Sequence, residues 1–426
     1  MPILNARHRR NPGSCSRPDR HSGERRNPGW APAFAGATIA ILGLFLCASP
    51  ALAKKRLRIL SSDFVPATQP STRKIRIGVV LHADKIRLAC EGRCTFDDAA
   101  GKLYYLVPGK KYDVRALRKD LKLGGLVIGP RTTIRTKRIT DCALLNGRCY
   151  RGKIVLRRDA DGTVTAVDVL DIEDYLMGVL PYEMDPSWPL EALKAQAVVA
   201  RTYAYTQLDK YEDEGYDLTD DTRSQMFGSL GQVPARVRKA VNETAGQVLG
   251  YKGRILDVYY HSCSGGHTAD EAEIWGGAEP PPPLRGVRDP YSRKCPDYDW
   301  TAYVPLSKVI EAIEPGNLIA GPLQSLRIGH RYWDGYVENF VADVDGDPLR
   351  IAANNFRRRI GAALLKSDLI YRVKVLQDAV EFEGHGLGHG VGLSQWGARK
   401  QAKLGRSYQR ILKFYFPGSY LAVVVQ

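Results

Sequence analysis

DIEDYLMGVLPYEMDPSWPLEALKAQAVVARTYAY, residues 171–205, is the stretch that decides the fold and the candidate site. Apolar residues recur every three or four positions after Pro189, which predicts a long amphipathic helix with one core face. The residues of that face are Leu190, Leu193, Ala197, Ala200, Ala204 and Leu208. Ser187 is the expected N-cap, with Pro189 in the first turn. Glu183 is therefore expected on a turn that a rigid helix holds in place.

Glu183 stands among apolar and aromatic neighbours, Pro181, Tyr182 and Met184. Burial in such surroundings disfavours the charged carboxylate, so the group is expected to hold its proton near neutral pH. A protonated carboxyl is what a general acid needs to protonate a glycosidic oxygen. The alternative is a structural acid in a surface loop, because perturbed carboxylates are often structural. The residues alone leave both interpretations open.

This stretch resembles the signature of the SpoIID/LytB family (stage II sporulation protein D and relatives), and three later segments match that family in order. They are Tyr260–Ser262 with Ser264–Gly266, Phe356-Arg357 with Gly361, and HGLGHGVGLSQWGA at residues 385–398. The similarity runs from about Lys74 to the C terminus. It implies a peptidoglycan lytic transglycosylase with a SpoIID-like fold, in which Glu183 is the catalytic acid.

The resemblance also implies which residues bind or orient the glycan. Those that match family positions are Arg201, Tyr203, His261, Arg357, His385, His389 and Gln395. A structural alternative applies to Arg201 and Tyr203, which lie on the predicted helix and would support the Glu183 turn. Residues 384–392 have glycine at every even position, so an extended strand there would present one bare face. That face would be a wall of the glycan groove or a tight contact between strands.

The implied activity is cleavage of the MurNAc–GlcNAc β-1,4 bond in glycan strands stripped of stem peptides, which gives 1,6-anhydroMurNAc ends. A preference for stripped strands implies cooperation with a cell-wall amidase. One rival is a non-catalytic peptidoglycan-binding scaffold or amidase modifier, the LytB-like role, which does not need Glu183. A second rival is a glycan hydrolase, which needs another carboxylate near Glu183. The candidates close in sequence are Asp171, Glu173, Asp174 and Asp185.

Patterns along the chain predict five segments and an α+β fold of mixed short strands with one long helix. Residues 1–53 are expected to be a signal peptide with an overextended start, since residues 37–53 combine an apolar run with an A-x-A site. Retention as a membrane anchor is the alternative, whereas Phe45 and Leu46 argue against a lipoprotein at Cys47. A disordered linker is expected at 54–73, a β-rich region at 74–150, the SpoIID-type core at 151–275, and a C-terminal part with the Gly/His-rich strand at 276–426.

Several local elements are predicted outside the quoted stretch. A second helix is expected from about Pro234 to Thr244. Hairpin turns are expected at Asp161-Gly162 and Lys252-Gly253. Two short helices are expected near the C terminus, with Ser394 and Ser407 as their N-caps and Gly405 ending the first.

The charge balance limits the partners. The chain of 426 residues has 62 Lys and Arg against 46 Asp and Glu, a net charge of +16, of which residues 1–53 carry +5. The remaining +11 suits anionic cell-wall polymers outside the cytoplasm. No helix-turn-helix, zinc-finger or RNA-binding aromatic signature is present, so nucleic acid is not expected as a partner. We expect an exported protein of the periplasm or cell envelope, with no membrane span in the mature chain.

Six cysteines follow the expected signal peptide, an even number that fits disulfides in an exported protein. The expected pairs are Cys90 with Cys94, Cys142 with Cys149, and Cys263 with Cys295, although the sequence leaves other connectivities open. A zinc site of His261, Cys263, His267 and Cys295 is the alternative, but its spacing fits no common zinc motif. Some sporulation members have a zinc set in the segment that corresponds to residues 217–225, where this chain has no Cys or His. No metal and no cofactor are therefore expected.

Overall fold

The computed structural model describes residues 58–61, 73–138, 140–228, 230, 232–313, 322–344 and 346–425. The expected signal peptide lies outside these residues, as does most of the expected linker. Among the helices in the described ranges, none is both long and apolar enough to cross a membrane.

The first half of the described chain is rich in strands. They are β1 (Arg58–Ser61), β2 (Lys74–Ala83), β3 (Ile86–Glu91), β4 (Cys94–Asp97), β5 (Leu103–Tyr105), β6 (Tyr112–Ala116), β7 (Leu121–Leu123), β8 (Leu126–Val127), β9 (Arg131–Thr136), β10 (Cys142–Leu145), β11 (Arg148–Tyr150), β12 (Lys153–Arg158) and β13 (Val164–Asp171). The predicted turn at Asp161-Gly162 joins the last two strands, which pair antiparallel.

Helices and strands alternate in the rest of the chain, which confirms the α+β class. The helices are α1 (Ile172–Glu183), α2 (Leu190–Thr206), α3 (Ala235–Glu243), α4 (Glu271–Trp275), α5 (Leu306–Ile313), α6 (Ala353–Ile360), α7 (Gln395–Lys403) and α8 (Tyr408–Tyr415). The strands are β14 (Leu218–Thr219), β15 (Gln247–Tyr251), β16 (Arg254–Ile255), β17 (Tyr260–His261), β18 (Asp299–Pro305), β19 (Leu323–Arg331), β20 (Val337–Val344), β21 (Asp347–Ala352), β22 (Ile370–Val375), β23 (Ala379–His385), β24 (Leu393–Ser394) and β25 (Tyr420–Val425).

Two sheets form the β-rich part, and a third ties the chain ends to the helices. Their strand orders are β14-β2-β13-β12-β9-β4-β5, β11-β10-β3-β6-β7-β8 and β1-β25-β15-β16. The boundary expected at residue 150 cuts the first of these sheets, because β12 and β13 pair with β9 and β2. The linker expected at 54–73 is wrong in part, because β1 pairs antiparallel with β25.

The helix α2 passes through the main core. The predicted face is confirmed, since Leu193, Ala197, Ala200 and Ala204 are all fully buried. The predicted start is wrong by a few residues. Pro189 occupies the N-cap position, and the backbone N–H of Ser187 instead donates to Asp185 Oδ1 at 2.8 Å. Proline fixes its own φ, so it sets the start of the helix without a side-chain cap.

The three expected disulfides are confirmed: Cys90–Cys94, Cys142–Cys149 and Cys263–Cys295. The first two lie in the β-rich part, and the third closes the loop region between β17 and β18.

The other local predictions hold. The helix expected near residues 234–244 is α3, and β15 and β16 form the hairpin that turns at Lys252-Gly253. Ser394 caps α7 through its side chain, which accepts from the Gly397 N–H at 3.3 Å. Ser407 precedes α8 at the N-cap position, and Gly405, with φ of 79°, follows the end of α7.

The glycine-rich run at 384–392 is not the extended strand that was expected. Gly386, Gly388, Gly390 and Gly392 have φ between 77° and 116°, so the run after β23 is a loop in left-handed conformations. A Cβ at Gly392 would lie 2.2 Å from the Tyr259 carbonyl oxygen. Close packing against neighbouring backbone therefore accounts for these glycines.

Asp168 on β13 gives a stability prediction. Its side chain is fully buried, and burial raises its pKa well above the ordinary value against a smaller opposing effect of the Val169 N–H. The folded protein thus keeps a proton that the unfolded chain loses as pH rises above about 3.8, so stability falls with pH until the folded pKa is passed. We expect Asp168→Asn to remove this loss, with about 1.4 kcal/mol for each pKa unit of the shift.

The measurement is the free energy of unfolding in urea between pH 4 and pH 8. The advantage of Asp168→Asn over the wild type should grow with pH. Asp159→Asn is the control, because Asp159 is also buried but accepts hydrogen bonds from Thr163 and Thr165, so its substitution should destabilise. A difference between Asp168→Asn and wild type that does not change with pH would contradict the prediction.

Candidate active site

Glu183 is the last residue of α1 and not part of a free turn, which corrects the sequence expectation. Pro181 lies in the final turn of the helix, and the Met184 N–H still donates to the Leu180 carbonyl at 2.9 Å. The side chain of Glu183 is partly buried. A helix end fixes the position of the carboxyl more firmly than a loop does.

The loop at residues 225–228 packs against α1 and supplies one contact to Glu183. The Met226 N–H donates to Glu183 Oε1 at 2.9 Å. Two glycines allow this approach: a Cβ at Gly178 would lie 2.3 Å from the Phe227 ring, and a Cβ at Gly228 would overlap the Tyr182 ring. The absence of side chains at these two positions therefore brings the loop to the acid.

A chain of side chains ends at the Glu183 carboxyl. The Tyr175 hydroxyl donates to Gln225 Oε1 at 3.1 Å, and Gln225 Nε2 donates to the Tyr260 hydroxyl at 3.1 Å. The Tyr260 hydroxyl in turn acts on the Glu183 carboxyl as a hydrogen-bond donor. Each donor fixes the orientation of the next group, so the arrangement is preorganised.

Gln395, the first residue of α7, also acts on the Glu183 carboxyl as a hydrogen-bond donor. Parallel pairing of β17 with β24 aligns Tyr260 with Leu393 and so brings the start of α7, with Gln395, beside the strand that carries Tyr260. The Trp188 and Trp396 rings lie edge to face 5.0 Å apart, and the Arg399 guanidinium lies over both. These contacts hold α7 against the segment that follows Glu183.

The pKa of Glu183 is raised above its ordinary value, and burial is the largest cause. The Met226 N–H, the Tyr260 hydroxyl and Gln395 oppose this by stabilising the ionised form. The carboxyl is thus biased toward the protonated state while the ionised state keeps three donors. A group that first gives and then takes a proton needs both properties.

Tyr260→Phe tests the balance between burial and hydrogen-bond donors that sets the pKa of Glu183. Removing the hydroxyl takes away a donor to the carboxylate, so the pKa of Glu183 should rise further. A reaction that uses Glu183 as its acid should then have its alkaline limb at higher pH, with a fall in kcat of about tenfold. Tyr408→Phe is the control, because the Tyr408 hydroxyl donates to Gln247 and not to the site. An unchanged limb would mean that Tyr260 does not act on the acid.

Aromatic side chains extend from Glu183 toward the surface. Tyr203 lies near enough to Glu183 for its charge to act, and burial raises the pKa of Tyr203 to about 12. Tyr259 interacts with Tyr203, and its ring centroid lies 4.5 Å from that of Trp275. Trp275 is 45% exposed. These rings form an aromatic path (Tyr203, Tyr259 and Trp275) beside the acid.

Two histidines expected to contact glycan lie near this path, His261 buried and His389 partly buried. His261 is only 4% exposed, and its Nδ1 donates to the Val391 carbonyl at 3.1 Å. His389 Nδ1 accepts from the Val391 N–H at 3.1 Å, and the ring also donates to the Tyr260 carbonyl. Burial lowers the pKa of His261 to about 4 and that of His389 to about 3, so both rings are neutral. The two rings contact each other, with centroids 5.7 Å apart.

Arg201 and Arg357 are also placed differently from the expectation. Arg201 is fully buried and makes two hydrogen bonds with Glu173, at 2.9 and 2.6 Å. Arg357 is buried as well and donates to the Leu365 and Lys366 carbonyls, both at 2.9 Å. Both guanidiniums are committed to hydrogen bonds inside the protein.

His385 lies at the end of β23, apart from the Glu183 contacts described above. Its ring packs against Tyr371 and Tyr298, and its Nδ1 lies 2.7 Å from Asp299 Oδ1. Of the glycan-binding residues expected from sequence, the structure brings Tyr203 and Gln395 to the acid. His389 packs against Tyr259 and Trp275 of the aromatic path, and His261 lies next to Tyr260 on β17. Arg201, Arg357 and His385 make the other contacts described above. The alternative zinc site also fails, because Cys263 and Cys295 are bonded to each other.

Four residues of the site were not expected to act on Glu183: Tyr175, Gln225, Met226 and Tyr260. Tyr260 stood in a quoted motif, but the role there was given to His261. Gln225 gave no such signal, because only the structure shows that this buried amide lies between two tyrosines, where it must be hydrogen-bonded. Met226 acts through its backbone N–H, and a contact of that kind cannot be predicted from the residue type.

Comparison with known proteins identifies the family of the chain. A family model described as "Stage II sporulation protein" (SpoIID) matches residues 160–251. The chain is 34% identical over 275 residues to an uncharacterized protein of Brachyspira hyodysenteriae, covering 64% of this chain and 72% of that protein. It is 28% identical to the amidase enhancer of Bacillus subtilis, covering 86% of this chain and 58% of the relative. It is 27% identical to stage II sporulation protein D of the same organism, covering 60% and 76%. The chain belongs to the SpoIID family.

Proposed function

We propose that this protein is a lytic transglycosylase that cleaves the MurNAc–GlcNAc β-1,4 bond of peptidoglycan strands stripped of stem peptides. A cell-wall function is shared by the family. The finer activity is supported by one observation above all: Glu183 is partly buried, has a raised pKa, and accepts from the Met226 N–H at 2.9 Å, with Tyr260 and Gln395 favouring its ionised form. That environment suits a single group acting as acid and then as base.

The proposed reaction uses Glu183 twice. The protonated carboxyl gives its proton to the glycosidic oxygen as the C–O bond breaks, and the GlcNAc leaves with a free 4-hydroxyl. Positive charge develops at C1 of MurNAc. The C6 hydroxyl of the same sugar then bonds to C1, and the Glu183 carboxylate takes the hydroxyl proton. The product ends in 1,6-anhydroMurNAc, and the acid is restored.

The surroundings of Glu183 favour this route over hydrolysis. Attack by the sugar's own hydroxyl needs no positioned water and no second carboxylate. Asp171 and Glu173 lie at the opposite end of α1, paired with Lys74 and Arg201. Asp174 is in the same first turn, and Asp185 accepts from the Ser187 N–H in an exposed position. None of these four acids is among the groups that shift the pKa of Glu183.

A second candidate function is a non-catalytic wall-binding protein that modifies an amidase. The similarity to the amidase enhancer covers 86% of the chain and favours this role. Both functions place the protein in the cell envelope after export, with peptidoglycan strands as ligand and an amidase as functional partner. They differ in whether Glu183 is needed.

Product analysis separates the candidates. The purified chain is incubated with amidase-treated peptidoglycan, and the soluble products are identified by mass spectrometry. Anhydro-ended products support the transglycosylase, whereas reducing-end products, heavier by one water, indicate a hydrolase. Retained glycan binding without cleavage, with increased amidase activity on addition of the chain, indicates the modifier.

Trp275→Ala tests the aromatic path as a surface for sugar rings. We expect KM for glycan to rise about three- to tenfold with little change in kcat, because an exposed ring adds binding by stacking and lies away from the acid. Tyr303→Ala is the control, since Tyr303 is 59% exposed but lies on β18. An unchanged KM for Trp275→Ala would remove this ring from the glycan path.

A further inference from the structure

Positive charge is concentrated in the β-rich part and not around Glu183. Residues 74–150 contain 17 Lys and Arg against 7 Asp and Glu, a net charge of +10. Residues 151–426, which include the candidate active site, contain 33 against 36, a net charge of −3. Such asymmetry attracts anionic partners to one part of a molecule. An anionic ligand is therefore drawn first to the β-rich part.

The six-stranded sheet β11-β10-β3-β6-β7-β8 turns one face inward and one face outward. On β3, Ile86 and Leu88 are fully buried while Arg87 is exposed, and on β6 Val114 is buried while Arg115 is exposed. This alternation follows from the two-residue period of a strand. The outer face thus collects charged side chains in register.

A cavity of about 350 Å³ lies on this outer face. Three cations line it, Lys85, Arg87 and Lys111, and its apolar lining is Ala89 and Leu144. The last two are cross-strand partners on β3 and β10. The cavity thus combines an apolar floor with a positively charged rim.

The cavity wall is held by a tight turn between β10 and β11. Asn146 has φ of 51°, and its Oδ1 accepts from the Arg87 N–H at 2.9 Å. The Asn146 N–H donates back to the Arg87 carbonyl, also at 2.9 Å. The backbone that carries Arg87 is therefore fixed before any ligand binds, which lowers the cost of binding.

The positive charge of the cavity is only partly compensated. Within the described residues, Asp113 is the one carboxylate at ion-pair distance from a lining cation, 3.8 Å from Lys85, and it also lies 3.9 Å from Arg115. Arg87 and Lys111 have no such partner in the same ranges. An anionic group in the cavity would meet two free cations, one of which is the planar guanidinium that pairs well with carboxylates.

We propose that this cavity binds the lactyl carboxylate of a MurNAc residue in a glycan strand, at a position apart from Glu183. The inference rests on the proposed function, because it takes stripped peptidoglycan as the ligand. Removal of the stem peptide frees this carboxylate, and the apolar floor suits the lactyl methyl group and the sugar ring. The volume suits one sugar unit. The β-rich part thus holds the strand by its charge.

The test uses the full chain with Glu183→Gln, so that no strand is cleaved. Binding is measured for stripped glycan strands and for neutral chitooligosaccharides of the same length. We expect Arg87→Gln with Lys111→Gln to weaken binding of the stripped strands about tenfold at low salt and to leave chitooligosaccharide binding unchanged. Lys119→Gln with Lys137→Gln removes the same charge from exposed positions outside the cavity and should change binding by less than about twofold.

Three results would overturn the inference. Equal losses of glycan binding in the two double variants would mean that binding depends only on the overall charge of the protein. Unchanged binding by the cavity variant would mean that the cavity is not a glycan site. In the third result, inorganic polyphosphate displaces the glycan, and strands whose lactyl groups are amidated still bind fully. The ligand of the cavity would then be a phosphate polymer and not the lactyl carboxylate. The wild-type chain could cleave nothing while its binding of stripped strands still depends on the cavity. That result would retain this inference and reject the transglycosylase proposal.

Discussion

Glu183→Gln should reduce the rate of anhydro-product formation by about a thousandfold, within the range that general acid–base catalysis supplies. Glutamine has nearly the same shape and can still accept from the Met226 N–H, which donates at 2.9 Å in the wild type. It has no acidic proton for the glycosidic oxygen. The loss should therefore fall on kcat, with glycan binding retained.

The pH dependence supplies a second test of Glu183. The acid must be protonated to begin the reaction, so the wild-type rate should fall as pH rises through its pKa, which burial places above the ordinary value. The residual rate of Glu183→Gln should lack this alkaline limb. Asp185→Asn is the matched control, because Asp185 is an exposed acid two residues along the chain and should leave the profile unchanged. Cleavage by Glu183→Gln at the wild-type rate would place the acid elsewhere.

Arg201→Met should cost about 3–5 kcal/mol of the free energy of unfolding, the range for breaking one side of a buried ion pair. The Arg201 side chain has 0% exposure, and its partner Glu173 has 12%. The guanidinium also donates to the Gln247 carbonyl at 3.1 Å, so it joins α1, α2 and β15. Removing it leaves Glu173 as a buried charge with the Gly246 N–H as a remaining donor. Urea denaturation measures the loss.

A double-mutant cycle separates this structural role from contact with glycan. Glu173→Met should destabilise by a similar amount, and the double variant by less than the sum, because neither charge is then left unpaired. Below their unfolding transitions, the variants should retain wild-type KM for glycan. Arg358→Met is the control, since Arg358 is exposed on α6. A stable Arg201→Met protein with weakened glycan binding would restore the role that sequence suggested.

The features that the sequence predicted well depend on residues that are close together in the chain. The core face of α2, the Ser394 cap and the turn at Lys252-Gly253 follow from patterns within short segments. Two of the disulfides also join cysteines close in the chain, whereas Cys263–Cys295 spans 32 residues. Glu183 itself was found because its neighbours are apolar and because the segment matches a family signature.

The features that the sequence could not predict depend on hydrogen-bond and packing partners from distant segments of the chain. Arg201 and His389 have residue types suited to glycan, but their hydrogen bonds are taken by Glu173 and by the backbone near Val391. The glycine run was ambiguous because glycine serves an extended strand and a left-handed loop equally well. The donors to Glu183 come from three separate places, the 225–228 loop, β17 and α7.

The pairing of β25 between β1 and β15 has a consequence for how the protein matures. As the chain is synthesised, α1 emerges with Glu183 long before α7 brings Gln395 and β25 joins its sheet. A nascent chain therefore carries its acid without the groups that tune it. The Glu183 carboxyl gains Gln395 only after α7 has been made, so its pKa should change late in synthesis.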